Sequence, residues 1–303
     1  MEIKQLLDLQ LTMFLMIFIG FALKKLNVIS ESGKESLTNL VLYVLLPFNI
    51  IKSFMITFNK SILISFGTVL IISILIQFMC SILGKLLYVK CSPGQSQVLK
   101  YATLCSNAGF FGNPIAESVF GMMGLAYASI FLIPQRIVMW SAGISIFTEA
   151  PDKKTLTKKV LTHPCIVAVY IGLLFMFMQV KLPGFLDTSI KSLSTANTPI
   201  SMIVIGTIFA EVDFKNLVNK TIAYYTVLRL VILPLIVWTL CLIFKIDHLV
   251  TGVVVILTAM PAGTATAMLA SKYDGDYIFA SRCIIFSTLV SIISIPIWSF
   301  ILR

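Results

Sequence analysis

The sequence predicts an all-α polytopic membrane protein with ten transmembrane helices, arranged as two inverted five-helix repeats in which helices 4 and 9 are broken. Three observations carry this reading. The chain is 58% hydrophobic and 12% charged over 303 residues, with a mean hydropathy of +0.98, whereas soluble domains are about 45–50% apolar and about 25% charged. Apolar runs of the roughly 20 residues that a bilayer crossing needs follow one another with short loops between them. Two of these runs are interrupted by proline, glycine and small polar residues, at corresponding places in the two halves.

The first run, 6–24, has no basic leader and no small-residue cleavage site, and Asp8 lies within it. It reads as a retained helix and not a signal peptide. Span 2 (37–55) carries Pro47 in "LLPFNII", and span 3 (62–88) is uninterrupted. Span 4 (98–120) contains "SNAGFFGNPIAES", and span 5 (122–147) contains "IPQRIVMWS". The longest loop, "TEAPDKKTLTKKVLTHP", divides a first repeat (1–150) from a second (164–303), with 151–163 as the connection. Spans 6 (164–181), 7 (186–210, with Pro199) and 8 (220–244, with Arg229 and Pro234) follow. Span 9 (248–271) contains "AMPAGTATAML", and span 10 (276–302) carries Pro296. The chain has no room for a soluble domain.

Orientation comes from the basic residues. The loops after odd-numbered spans hold thirteen Lys, and the opposite side holds seven Lys and Arg. The excess belongs in the cytoplasm, which places both termini outside. It also accounts for the net charge of +10 without a nucleic-acid partner. Five spans per half force the second half to insert upside down, the arrangement common in secondary transporters. An offset of 152 residues pairs Pro47 with Pro199, Ala128-Ser129 with Ala280-Ser281, and Pro114 with Thr266, so the two broken spans correspond.

A proline or glycine inside a span leaves backbone N–H and C=O groups unpaired, at several kcal/mol each in lipid. Such breaks persist where they face protein or a hydrated site. Half-helix N-termini offer N–H donors and a positive dipole end to an anion, while unwound carbonyls and asparagine amides suit cations or polar ligands. The candidate binding residues are therefore Asn107, Gly109, Gly112, Asn113 and Pro114 in span 4, with Pro261, Gly263, Thr264 and Thr266 in span 9. Gly109, Gly112 and Gly263 also suit close helix packing. Taken singly, Pro47, Pro199, Pro234 and Pro296 read as kinks.

Charges inside a span are costly and usually functional. Gln135 and Arg136 lie mid-span; the arginine could attract an anionic substrate or pair with a carboxylate such as Glu117. Glu117 is the one carboxylate beside a broken span, which makes it the candidate for coupling to a proton or sodium. Arg229 and Arg282 read as snorkelling arginines, and Asp187 with Lys191, at i and i+4, as an interfacial pair. Cys80, Cys91, Cys105, Cys165, Cys241 and Cys283 are scattered without metal-ligand spacing, so they read as packing residues and no metal or bound cofactor is expected.

"N-A-G-F-F-G-N-P" in span 4 resembles the Asn-x4-Gly-x-Pro pattern of the auxin efflux carrier family, which includes plant PIN-type carriers and bacterial malate and malonate permease-like proteins. "M-P-A-G-T-A-T-A-M-L-A-S-K-Y" and "SRCIIFSTLVSIISIPI" resemble the family's ninth and tenth helices, and "Q-R-I-V-M-W" and "R-L-V-I-L-P" fall in family-like positions. The resemblance implies that broken helices 4 and 9 cross, with helices 1, 2, 6 and 7 as a scaffold. Helices 3–5 and 8–10 would move as an elevator, in a homodimer in a bacterial plasma membrane. By motif it adds Asn49 and Ile50 of span 2, with Asn107 and Gln135, to the ligand contacts. This chain departs from the pattern at Asn113, at Thr266 in place of a second proline, and in lacking the long cytosolic loop of plant carriers. A small organic anion, a carboxylate, is thus the expected substrate instead of auxin.

A channel would need a continuous polar stripe, which the spans lack. A membrane-embedded sensor or an intramembrane enzyme are the rivals from other classes. "YDGDY" at 273–277 faintly resembles an aspartyl protease motif, yet its acids fall in a loop, and no HExxH, GxSxG or phosphate loop is present.

Overall fold

The computed structural model describes residues 3–57, 59–147, 154, 158, 161–179, 182–211 and 217–302. The described chain is helical, and its one β-type contact is an isolated antiparallel bridge between Ser106 and Ala262. Among the described residues, six stretches are long and apolar enough to cross a membrane: Glu31–Ser53, Lys60–Leu87, Ala108–Met139, Gly184–Ala210, Lys220–Ile243 and Tyr277–Ile301. Their outer faces present large apolar side chains, including Ile64, Ile71, Leu75 and Phe78, a surface suited to lipid tails. Most of the connecting loop expected at 151–163 lies outside the described residues.

In chain order, α1 (Ile3–Lys25) leads into α2 (Glu31–Leu40), a π turn (Val41–Leu45) and α3 (Leu46–Ser53), then α4 (Lys60–Leu87). α5 (Pro93–Leu104) stops short, and the chain resumes as a π turn (Ala108–Gly112) and α6 (Asn113–Trp140). α7 (Pro164–Met178) and α8 (Gly184–Ala210) follow, then α9 (Lys220–Val227), a π turn (Leu228–Ile232) and α10 (Leu233–Ile243). α11 (His248–Thr258) also stops short before α12 (Ala265–Lys272), and α13 (Tyr277–Ile301) ends the chain.

Local chemistry sets these starts. Ser30, Asn59, Asn219, Asp247 and Asp276 each accept a hydrogen bond from a first-turn N–H, satisfying donors that a helix start leaves open. α5 begins at Pro93, five residues before the expected 98, because proline suits the first helical position while the apolar run begins only later. α6 is two helices joined at Gly121, whose φ of 69° and ψ of −162° fall in a region open essentially to glycine alone. The turn expected between spans 4 and 5 is therefore made by this one residue.

Packing then fixes relative directions. A Cβ on Gly20 would stand 2.1 Å from the Ile203 carbonyl oxygen, and one on Gly206 would stand 2.0 Å from that of Ile17. Only glycine allows α1 and α8 to touch backbone to backbone. The two run parallel, since Lys24 and Lys34 both reach Glu211 just past the end of α8, at 3.4 and 2.6 Å. Both lysines also bond Glu31. Such an exposed cluster stabilises little; its meaning is positional. Asp187 pairs not with Lys191, as the spacing suggests, but with Lys52 at the end of α3, at 3.0 Å. The tertiary partner wins because α3 ends where α8 begins.

Candidate functional site

The two interruptions meet. The Asn107 N–H donates to the Pro261 carbonyl at 2.8 Å, and the Gly263 N–H donates to the Cys105 carbonyl at 3.0 Å, making the Ser106–Ala262 bridge. Backbone groups that each break frees are thus satisfied by the other. The approach is close enough that a Cβ on Gly263 would fall 2.6 Å from the Cys105 oxygen. α6 then lies along α11: a Cβ on Gly112 would meet Leu257 at 2.7 Å, and one on Gly252 would meet the Phe120 ring at 2.5 Å. Gly112, Gly252 and Gly263 are therefore packing glycines, whereas Gly109 has nothing within 4 Å of its would-be Cβ.

Side chains from other elements brace this joint. Gln135 donates from Nε2 to the Ser106 carbonyl at 2.8 Å and accepts from the Ser106 hydroxyl at 3.3 Å. The Ala262 N–H donates to the Ser287 hydroxyl at 3.1 Å, and that hydroxyl donates to Ile284. Tyr225 donates its hydroxyl to the Ala102 carbonyl at 3.0 Å.

Arg229 corrects the sequence reading. It does not snorkel: it is 3% exposed, and Nε donates to the Met260 carbonyl while Nη1 donates to that of Thr103, both at 3.0 Å. These carbonyls close the first halves of both broken helices. Neither Arg229 nor Ser287 was assigned to the site from sequence. The signal for Arg229 was its place deep within a span in "RLVILP"; nothing in the sequence marks Ser287 among the other serines of α13.

Around the joint lie buried polar atoms without hydrogen-bond partners: Asn107 Nδ2, both amide atoms of Asn113, and Thr266 Oγ1. Asn113 and Pro114 open α6, and Thr264 precedes α12; neither the Ala108 start nor the Ala265 start has a side-chain cap. The carboxamide and hydroxyl groups therefore stand near helix starts that point positive dipole ends into the crossing.

The remaining candidates divide. Asn49 is fully buried on α3, accepts from the Ser194 hydroxyl of α8 at 3.2 Å, and faces the Glu117 carboxyl. Its neighbour Ile50 is buried in the core. Glu117 thus meets an amide from the α3–α8 side, and no ion pair joins it to Arg136 among the described residues. Arg136 instead reaches the Cys165 thiol and faces His163 at the start of α7. Burial and that guanidinium push His163 down to about 4, so it is neutral at physiological pH. Among the described residues no three His, Cys, Asp or Glu side chains gather, and all six cysteines are free.

Residues 7–299 match the family described as membrane transport protein. The chain is 26% identical to an uncharacterized transporter of Methanothermobacter thermautotrophicus over 301 residues, covering 96% of this chain and 97% of the relative. It is 24% identical to an uncharacterized transporter of Methanocaldococcus jannaschii, covering 98% of each. A proposed malonate transporter of Rhizobium meliloti is 22% identical over 218 residues, covering 67% of this chain and 68% of the relative.

Proposed function

Because the chain belongs to the membrane transport protein family, the auxin efflux carrier family that its motifs resemble, we propose that it carries a small organic carboxylate across the membrane. The cargo would bind where the broken helices cross. The observation that supports this reading most is the joint itself, where backbone hydrogen bonds close two interrupted helices against each other and leave buried Asn107, Asn113 and Thr266 groups unpaired beside them. A soluble dicarboxylate such as malonate, named for one relative, offers acceptors for the amides and the helix-start N–H groups.

The movement we propose is an elevator. Ten helices in two inverted repeats form a homodimer in a bacterial plasma membrane, with α1–α3, α7 and α8 as the scaffold. The remaining helices shift past it with the cargo. Glu117 facing Asn49 lies where the moving and fixed parts would touch, a place suited to coupling by a proton or sodium. Flux of mono- and dicarboxylates into proteoliposomes, at two pH values and with or without sodium, is the direct test. Accumulation of a carboxylate is expected; no flux of any panel member would remove the proposal.

Both termini are proposed to lie outside the cell. The parallel α1 and α8 support this, since they end on one side, which the basic count makes cytoplasmic. A cysteine at exposed position 154 in a Cys91→Ser background is expected to stay unlabelled by a membrane-impermeant maleimide until cells are permeabilised. Labelling in intact cells would reverse the orientation.

A further inference from the structure

Arg229 holds a full positive charge inside the helical core, and among the described residues no carboxylate pairs with it. A buried charge without compensation is costly enough that proteins rarely keep one. Its compensation here is unusual. α5 and α11 both end at the crossing, and each helix C-terminus carries roughly half a negative charge on its last carbonyls. The guanidinium bonds the Thr103 carbonyl in the last turn of α5 and the Met260 carbonyl two residues past the end of α11, both at 3.0 Å. The negative ends of both helices face this one cation.

Interrupted membrane helices that converge by their C-terminal carbonyls form a setting that elsewhere takes a sodium ion or a proton. We propose that Arg229 is the built-in cation of this crossing: a positioning residue that fills the place a mobile monovalent cation would otherwise occupy and ties the two broken helices into one moving unit. The surroundings are arranged for a fixed group. Arg229 lies in the π turn Leu228–Ile232, where the Leu233 N–H reaches back to the Leu228 carbonyl. The Leu230 carbonyl is held by the Trp298 indole N–H at 2.8 Å. Tyr225, one turn earlier, bonds Ala102 next to the Thr103 acceptor. The arginine's own turn is thus held to α5 through Tyr225 and to α13 through Trp298. A π turn of this kind often marks a functional position. It follows that a sodium ion has no role at the crossing itself, and any coupling acts elsewhere.

This inference takes the crossing to be the centre of the carrier, but its test reads stability and not flux, so the two can fail separately. Purified full-length protein is melted in detergent in choline, sodium or ethylguanidinium chloride at tens of millimolar. Glu117→Gln, which removes the proposed coupling position, is expected to melt at the same temperature in sodium and in choline. Arg229→Ala is expected to melt on the order of 5–10 °C lower than wild type in choline and to recover much of that loss, saturably, with ethylguanidinium. A purely structural arginine would show the loss without the rescue. Saturable stabilisation of Glu117→Gln by sodium, Arg229→Ala as stable as wild type, or no rescue would each overturn the proposal. If Arg229→Ala yields no folded protein, Arg229→Lys and Arg229→Gln decide: folded protein from the lysine variant alone supports a required cation, and equal yields from both overturn it.

Discussion

Asn107→Ala is expected to weaken carboxylate binding roughly 10- to 150-fold while leaving the fold as stable as before. The two effects separate because the residue does two jobs with different atoms. Its N–H and C=O belong to the joint, bonding Pro261 and the Phe111 and Gly112 amides, and alanine keeps both. Its Nδ2 is buried and unpaired, so the fold does not depend on it. A hydrogen bond to a charged group is worth about 1.5–3 kcal/mol, which gives the expected factor. Asn113→Ala removes two further unpaired atoms and is expected to behave alike. Affinity follows from ligand-dependent melting over a carboxylate panel, with Phe78→Ala on the outer face as the control. If both asparagine variants bind normally in folded protein, the cargo site lies away from the crossing.

Gly263→Ala is expected to abolish flux and to destabilise the protein by about 3–6 kcal/mol. The new methyl would stand 2.6 Å from the Cys105 oxygen and 3.2 Å from that of Ser106, and both obstacles are backbone. Relieving the clash breaks the Gly263–Cys105 bond and strains its Asn107–Pro261 partner. Overpacking costs about 1–3 kcal/mol, and each buried backbone group left unpaired costs a similar amount. Gly109→Ala, a few residues away with open space at its Cβ, is expected to melt like wild type. Equal melting temperatures for the two variants would show that the joint tolerates separation.

The breaks were legible because proline, glycine and asparagine stand out inside apolar runs, and the Gly121 turn was legible as the point where one such run is too long for a single crossing. That the breaks would meet could be expected from their matching positions in the two halves and from the family resemblance, which implies that helices 4 and 9 cross. Arg229 shows where reading stopped. Its depth was visible: nine residues past Lys220, about 13 Å along the helix at 1.5 Å per residue. Its acceptors were not, since a carbonyl oxygen has no signature in a sequence and these two come from segments 126 and 31 residues away. Asp187 failed for a related reason. The i, i+4 neighbour Lys191 is visible on one helix, whereas Lys52 becomes a neighbour only once α3 and α8 are placed.

The Ser106–Ala262 joint has an implication for how such a carrier can change its cargo. Its two reciprocal hydrogen bonds run entirely between main-chain atoms, which every amino acid except proline at a donor position supplies alike. At Gly263 there is no room for a side chain, and Ala262 is fully buried. The side chains at 106 and 107 take no part in these two bonds, so in the proposed carrier selectivity becomes a separable setting. A designer, or natural drift, could retune what the proposed carrier takes by editing those positions and leave the joint intact.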